Sequence, residues 1–264
     1  WQYESALFTC DEKEMKAYML KSIKPDLDKQ REFIIVDKVG SARLDELNAI
    51  KPFVANLNKT ADESFTDFVK SIFDKKVISS VFLTGVGFED QWYPETLKYI
   101  TNGRRSFIGN NLFSKGGVYL SYSKKYVTSK VPIYLDKNKL TDEVCVYMRV
   151  NGKEGWFPIV APGFSWYEAD GKFEVIPKDI DRIEIHIENV LNGDVKTDYI
   201  DLSELKLRTD YSTRLQIDIR FIDETTLNLI VKDLGFGDFF KDSGFTTTKT
   251  ISLGGYHGQF DFMS

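Results

Sequence analysis

The sequence predicts two regions of different fold class: mixed α/β over residues 1–125 and all-β over residues 126–253, with a tail at 254–264. One observation behind this is a change in apolar spacing near residue 130, from mixed helical and strand periods to a period of two. Another is a series of turn dipeptides in the second half, of which Asn151-Gly152 is the clearest hairpin signal. The chain of 264 residues is also long enough for two domains with separate cores.

The first region begins with strands. Apolar runs at residues 5–10 and 15–23 flank the polar turn D-E-K-E and predict an antiparallel hairpin. Residues 32–39 predict a third strand. Residues 77–84 contain no charged side chain, which is typical of a strand buried on both faces.

Helices are expected between and after these strands. Thr60 and Glu63 form a capping pattern before apolar residues at helical spacing, and Pro94 is a typical first residue of a second helix. A last helix is expected from near Asn111. Its Gly116-Gly117 pair predicts a close approach to the sheet.

The second region reads as hairpins with one apolar face, which favours a β-sandwich or a partly open barrel. Asn151-Gly152, Asp170-Gly171 and Asn192-Gly193 each stand between two expected strands. The turn at residues 223–225 separates two further strands whose apolar residues alternate.

Composition excludes several classes of function. The 35 Lys+Arg and 40 Asp+Glu residues give a net charge of −5, so nucleic-acid binding is not expected. No apolar run approaches the about 20 residues that span a bilayer, so we expect no membrane segment. Two Cys in different regions indicate unpaired thiols and a cytoplasmic protein. With two isolated His, we expect neither a metal site nor a His-dependent catalytic group.

The motif V-F-L-T-G-V-G-F-E-D at residues 81–90 has the strongest chemical implication. Glycines at the end of a buried strand let the backbone approach a ligand, and a following helix N-terminus favours anions. A two-glycine turn between a strand and a helix is also common without a ligand. Both interpretations remain open from the motif alone.

The order of these elements resembles the second lobe of the actin/DnaK ATPase superfamily, which has a ribonuclease-H-like fold. The resemblance implies that Thr84, Gly85 and Gly87 belong to an adenosine-binding turn and that Asp11 stands where the family has its acidic residue. It also implies Mg-ATP as a ligand of a full-length protein.

Two further segments extend the resemblance. The stretch R-T-D-Y-S-T-R-L-Q-I-D-I-R-F-I-D at residues 208–223 and the strand after it look like the closing strands of the DnaK-type substrate-binding β-domain. The block G-R-R-S-F-I-G-N-N-L-F-S-K-G-G-V-Y at residues 103–119 is similar to an uncharacterised bacterial family with a C-terminal domain of unknown function. This resemblance implies that an N-terminal lobe is missing from the chain.

The first hairpin departs from the ATPase pattern. Active members have a glycine-rich, Thr-containing loop there, whereas this chain has C-D-E-K-E-M at residues 10–15. Side chains would block the approach of phosphate, and carboxylates would repel it. We therefore expect no cofactor and no ATP hydrolysis for this chain alone.

These observations favour a chaperone-like or scaffold-like protein that binds a protein or peptide partner. Two aromatic segments, at residues 164–167 and 234–240, are the candidate contact sites, because they place large apolar residues among turn formers. The alternative role for the segment at residues 234–240 is that its rings cover the open end of the sandwich. A C-terminal piece of a genuine ATPase, or a stand-alone module for peptide or carbohydrate, stays open as an alternative function. The candidate residues are Phe164, Trp166, Tyr167, Phe236, Phe239 and Phe240.

Overall fold

A computed structural model of the chain describes residues 4–11, 14–24, 32–43, 61–89, 91–125, 132–208 and 211–255. These residues divide into two compact units between Tyr134 and Leu135. The division lies beyond the boundary expected after residue 125, because a short strand at Ile133–Tyr134 pairs with the sheet of the first unit. Thr60 and most of the expected tail lie outside the described residues.

The first unit contains one mixed sheet. The strands are β1 (Glu4–Cys10), β2 (Glu14–Ile23), β3 (Phe33–Arg43), β4 (Ile78–Thr84), β5 (Arg105–Ile108) and β6 (Ile133–Tyr134). Their order in the sheet is β5-β4-β1-β2-β3-β6. Strand β2 runs antiparallel to both of its neighbours, and every other pair of neighbouring strands is parallel.

Helices α1 (Ala61–Phe73) and α2 (Pro94–Thr101) bury one face of this sheet. Alternate residues of β1, among them Phe8, enter the core together with Phe65 of α1. The rings of Phe8 and Phe65 meet edge to face with centroids 5.9 Å apart. The predicted hairpin, third strand, fourth strand and both of these helices are confirmed, but β4 is not buried throughout, since Ser79, Ser80 and Phe82 are only partly buried.

Two features of the first unit differ from expectation. Strand β5, in a segment for which no element was predicted, is a four-residue edge strand with mostly exposed side chains. Helix α3 (Leu112–Lys125) begins close to the expected position, but Gly116 and Gly117 are exposed and a Cβ on either would meet nothing within 4 Å. The expected close approach of this glycine pair to the sheet is therefore wrong for the described residues.

The second unit contains two four-stranded antiparallel sheets, with orders β11-β10-β7-β8 and β14-β13-β12-β9. The inward-facing residues of both sheets form one hydrophobic cluster, which includes Ile185 and Ile217. The strands are β7 (Asp142–Val150), β8 (Lys153–Val160), β9 (Gly171–Val175), β10 (Arg182–Asn189), β11 (Val195–Asp201), β12 (Leu215–Asp223), β13 (Thr226–Asp233) and β14 (Thr246–Ser252).

Three of the four expected turns join neighbouring strands as predicted. The Asn151-Gly152 turn joins β7 to β8, with both residues at positive φ as a tight hairpin requires. The expectation for Asp170-Gly171 is wrong, because residues 166–168 form a short 3-10 helix and β9 pairs with β12. The Asp170 carboxylate explains this: it accepts the backbone N–H of Phe221 at 2.8 Å and thereby ties the segment to β12.

A buried carboxylate joins the two helices of the first unit. Asp62, in the first turn of α1, accepts the backbone N–H groups of Glu95 and Thr96 at 2.6 and 2.9 Å. Its Oδ1 also accepts the Thr96 hydroxyl at 2.6 Å. Asp62 thus satisfies the free N–H groups at the start of α2, where a negative charge also complements the helix dipole.

Replacing Asp62 with Ala should lower the free energy of unfolding by about 2 kcal/mol, because it removes a helix cap and leaves buried donors without a partner. Asp74→Ala is the matched control, since it removes a carboxylate at an exposed position just after the last residue of α1. Urea denaturation of the three proteins measures the effect. Equal midpoints for the Asp62 and Asp74 variants would contradict the capping role.

Candidate functional site

The turn after β4, residues 84–89, lies against the end of β1. Gly85 has a φ of +114°, which residues with a side chain rarely adopt. A Cβ on Gly85 would lie 2.1 Å from the carbonyl oxygen of Cys10, and one on Gly87 would lie 2.3 Å from the Cys10 Sγ. Packing of the chain against itself therefore requires glycine at both positions, independently of any ligand.

The other two residues of the predicted nucleotide site lie at the same edge of the sheet. Thr84 is buried and pairs with Thr9 across the parallel β1–β4 ladder. Asp11 follows β1, and its Oδ1 accepts the backbone N–H of Glu14 at 2.7 Å. Asp11 therefore acts as a turn residue of the first hairpin.

Polar groups of the chain itself occupy this turn. The backbone N–H of Gly85 donates to Asn110 Oδ1 at 3.2 Å, and Asn110 Nδ2 donates to Glu89 Oε1 at 2.8 Å. The indole N–H of Trp92 donates to the carbonyl oxygen of Gly87 at 2.8 Å. Sequence reasoning missed Asn110, although Gly109-Asn110 between a strand and a helix is a typical turn signal.

The thiol of Cys10 beneath this turn is inert. Burial, followed by the nearby charge of Asp11, raises the pKa of Cys10 to about 12. Since the thiolate is the reactive form, Cys10 has no nucleophilic role near neutral pH. Cys10 and Cys145 are both buried, and no disulfide joins them.

In the second unit, the two predicted contact segments lie at opposite ends of the β12 sheet. The Phe164–Tyr167 segment precedes β9, whose first residue Gly171 pairs with Ile219 near the end of β12. The segment with Phe236, Phe239 and Phe240 follows β13, whose last residue, Asp233, pairs with Leu215 at the start of β12. The structure therefore separates the six candidates into two surfaces.

The surface before β9 is only partly available. Phe164 and Tyr167 are exposed, whereas Trp166 packs against the core of the second unit. The backbone of this segment is tied to the start of β7, since Phe164 O accepts the N–H of Leu140 at 2.9 Å. Of its three aromatic residues, two are therefore free to contact a partner.

The other surface is the loop at residues 234–245, which we call the aromatic loop. The Asp233 carboxylate, with a side chain 1% exposed, fixes both ends of this loop by accepting the backbone N–H groups of Gly235 and Ser243 at 2.9 Å. Arg208 lies 3.4 Å from the same carboxylate and donates to the carbonyl oxygen of Lys241 at 2.9 Å. Burial acts to raise the pKa of Asp233, but the hydrogen bonds from Ser243 and Gly235 and the charge of Arg208 outweigh it and lower the pKa.

The aromatic loop presents Phe239 at its tip. The side chain of Phe239 is 90% exposed, compared with 42% for Phe236 and 38% for Phe240. Phe236 N–H donates to Phe240 O at 2.7 Å across the loop, and the Arg208 guanidinium lies over the ring of Phe240. The loop is thus held in place by polar contacts, while the ring of Phe239 stays in solvent.

A cleft of about 1030 Å³ lies beside this loop, between the two sheets of the second unit. We call it the end cleft. Its floor is apolar and includes Met148, Ile183 and Ile217, and its rim includes Tyr211 and Arg214. It adjoins the aromatic loop, because the N–H of Leu234 donates to the carbonyl oxygen of Arg214 at 2.8 Å.

Sequence reasoning did not find the end cleft. Its lining comes from five strands, from the connection between β9 and β10 and from the segment before β12, over residues 146–217. No local motif marks residues that only the packing of two sheets brings together. A basic residue just before a strand, as at Arg214, is too common to have been a signal.

Within the described ranges, no group of three or more His, Cys, Asp or Glu residues is arranged to hold a metal ion. Among the same residues, no helix is both long and apolar enough to cross a membrane.

Comparison with known proteins gives two family matches. Residues 1–137 match the C-terminal region of a family of unknown function, DUF5716, and residues 139–253 match a domain of unknown function, DUF8552. The limit between the two matched ranges falls close to the division between the two units. No curated protein sequence matches the chain.

One similar solved structure is the type II variant of the Ppx/GppA phosphatase from Aquifex aeolicus. The two chains share 7% sequence identity with a TM-score of 0.26. The match covers 75% of this chain and 52% of the phosphatase chain, so this chain spans about half the length of that protein.

Gly85→Ala should destabilise the first unit by at least about 3 kcal/mol without any ligand, because the new Cβ overlaps backbone atoms and the positive φ becomes strained. Gly117→Ala in α3 is the matched control and should stabilise by about 0.5–1 kcal/mol, since its Cβ meets open space. Thermal or urea denaturation monitored by circular dichroism distinguishes them. A Gly85→Ala protein as stable as wild type would show that packing does not require this glycine.

Proposed function

The chain belongs to the family of unknown function DUF5716, and we propose that it is a chaperone-like or scaffold-like protein that binds polypeptide partners. In this proposal the contact surface is the aromatic loop together with the end cleft of the second unit. The first unit is a degenerate nucleotide lobe that does not hydrolyse ATP. The lack of disulfides between its two cysteines supports a cytoplasmic location.

The observation that carries the proposal is the exposure of Phe239 on a fixed loop. A large apolar ring that is 90% exposed contributes little to folding, whereas the same ring buried by a partner contributes about 1.5–3 kcal/mol. The contacts of Asp233 and Arg208 hold the loop before binding, which reduces the entropy lost on association. An apolar cleft beside the loop can take the neighbouring residues of the same polypeptide.

The strand order of the first unit supports a ribonuclease-H-like lobe of the actin/DnaK type. Five of its strands have the order β5-β4-β1-β2-β3, in which only β2 runs against the others. The shared hydrophobic cluster of the two sheets supports a β-sandwich for the second unit. Neither fold determines a function, so the function has to be argued from particular surface residues.

Two features support the proposal that the first unit neither binds nor hydrolyses a nucleotide. The first hairpin carries Asp11 and Glu14 where a phosphate loop needs glycines, so its charge opposes a phosphate group. The backbone N–H of Gly85, which could otherwise meet a ligand, donates to Asn110. We infer a pseudo-ATPase lobe from these contacts.

Phe239→Ser should weaken binding of an unfolded polypeptide at least about tenfold, because it removes the exposed apolar anchor of the aromatic loop. The probe is fluorescein-labelled lysozyme that has been reduced and carbamidomethylated so that it stays unfolded. Fluorescence anisotropy measures its affinity for the whole chain.

Tyr119→Ser is the matched control, since it removes an exposed aromatic ring from α3 of the first unit, outside the proposed contact surface, and should leave the affinity unchanged. Equal loss of affinity in both variants would indicate general stickiness of exposed rings. Unchanged binding by a folded Phe239→Ser protein would remove the aromatic loop from the site.

MgATP at millimolar concentration should not raise the melting temperature of this chain. A ligand at a hundred times its dissociation constant stabilises the folded state by about 2.7 kcal/mol, which a thermal melt detects readily. MgCl2 alone and MgADP serve as controls. A rise of several degrees with MgATP only would overturn the proposed loss of nucleotide binding.

A further inference from the structure

The rim of the end cleft contains a guanidinium group with unused donors. The Nε atom of Arg214 is buried from solvent and has no hydrogen-bond partner among the residues that the structure describes. Its charged neighbour, Glu174, approaches Nη1 only to 3.7 Å, which is longer than a hydrogen bond. The Arg214 side chain is 40% exposed, so a ligand in the cleft can reach the Nη end of the guanidinium, whereas Nε is covered.

The unpaired Nε of Arg214 lowers the stability of the folded protein. A buried donor without an acceptor costs about 1–3 kcal/mol, and other arginines of the same unit avoid this cost. Arg149 at another part of the rim is paired with Glu154, and Arg208 binds Asp233 and Lys241. The Nη groups of Arg214 also lack a hydrogen bond to the residues that the structure describes, and a carboxylate in the cleft would supply charge-assisted hydrogen bonds to them.

The charged residues that line the cleft indicate that Arg214 would recognise a carboxylate only at short range. Carboxylates outnumber cations by one among the residues that line the cleft, so its overall field does not attract an anion from a distance. Arg214 must therefore act at hydrogen-bond range. The apolar floor below it, with Met148 and Ile217, suits an apolar side chain next to the bound carboxylate.

We propose that the end cleft binds a carboxylate group of an extended polypeptide, which accepts hydrogen bonds from the guanidinium of Arg214. The inference rests on the proposed function, because it assumes that the polypeptide lies along the aromatic loop and enters the cleft. The carboxylate is either the C-terminus of the polypeptide or a Glu side chain within it.

The test compares three fluorescent ten-residue peptides of the same apolar and serine sequence. One ends in Leu with a free carboxylate, the second is its C-terminal amide, and the third is the amide with one internal Glu. Anisotropy titrations use the whole chain as wild type, Arg214→Met, Arg214→Lys and Arg220→Met. Arg220 is the matched control, since it lies near the other end of β12 and is paired with Asp170 at 3.2 Å.

We expect wild type to bind the free acid at least tenfold more tightly than the amide. Arg214→Met should abolish this preference, Arg214→Lys should reduce it, and Arg220→Met should retain it. Equally tight binding of the amide with internal Glu, also dependent on Arg214, identifies the side chain as the source of the carboxylate.

Equal affinity of wild type for all three peptides overturns the inference without requiring any variant to fold. If that binding is still weakened by Phe239→Ser, the proposed function survives and only the role of Arg214 is wrong. A preference for the acid that persists in Arg214→Met also overturns the inference. No binding of any peptide contradicts the proposed function itself.

Discussion

The hydrogen bonds of the Asp233 carboxylate hold together the end of the second unit that contains the proposed contact surface. It lies at the end of β13, is almost fully buried, and holds both ends of a twelve-residue loop through Gly235 and Ser243. Hydrogen bonds to a charged group each contribute about 1.5–3 kcal/mol, so this one side chain supplies much of the order of the loop. Without it, Phe239 would be on a mobile segment and its binding would cost more entropy.

The same contact also positions the end cleft. Leu234, which follows Asp233, donates its N–H to the carbonyl oxygen of Arg214, so the loop and the cleft wall share one hydrogen-bonded backbone. Arg208 reaches the Asp233 carboxylate from the segment before β12 and covers the ring of Phe240. Loop, cleft and cation therefore form one structure at one end of the unit.

The sequence was sufficient for the elements whose signals are local. Asn151-Gly152 predicted the β7–β8 turn because only a few residue types accept positive φ at both positions, and β4 was predicted from its lack of charge. The edge strand β14 was harder to predict from the sequence. Strand β14 reads T-T-T-K-T-I-S, and since Ile251 is its only buried residue, its sequence shows almost no apolar alternation.

Tertiary contacts account for the other differences. Asp170-Gly171 has the sequence of a hairpin turn, but the Asp170 carboxylate binds the backbone of β12, about 50 residues later in the chain, and this contact overrides the local preference. For the site, the sequence identified Phe236, Phe239 and Phe240 as large apolar residues among turn formers. It could not show that Phe164 and Tyr167 lie at the other end of the sheet, because strand register sets that separation.

The glycine turn of the first unit has a packing role that does not depend on the proposed nucleotide history of this lobe. Gly85 and Gly87 are needed because the end of β1 occupies the space where a Cβ would stand, so any protein with this packing keeps both glycines. Binding of phosphate needs a further feature, a first hairpin with accessible N–H groups, and here that hairpin carries Asp11 and Glu14. In the proposed pseudo-ATPase lobe, packing therefore accounts for the glycines, and the acidic hairpin accounts for the loss of phosphate binding. The second unit offers the opposite case, since neither the exposure of Phe239 nor the unpaired Nε of Arg214 contributes to packing, and both are observations from which we propose a polypeptide partner.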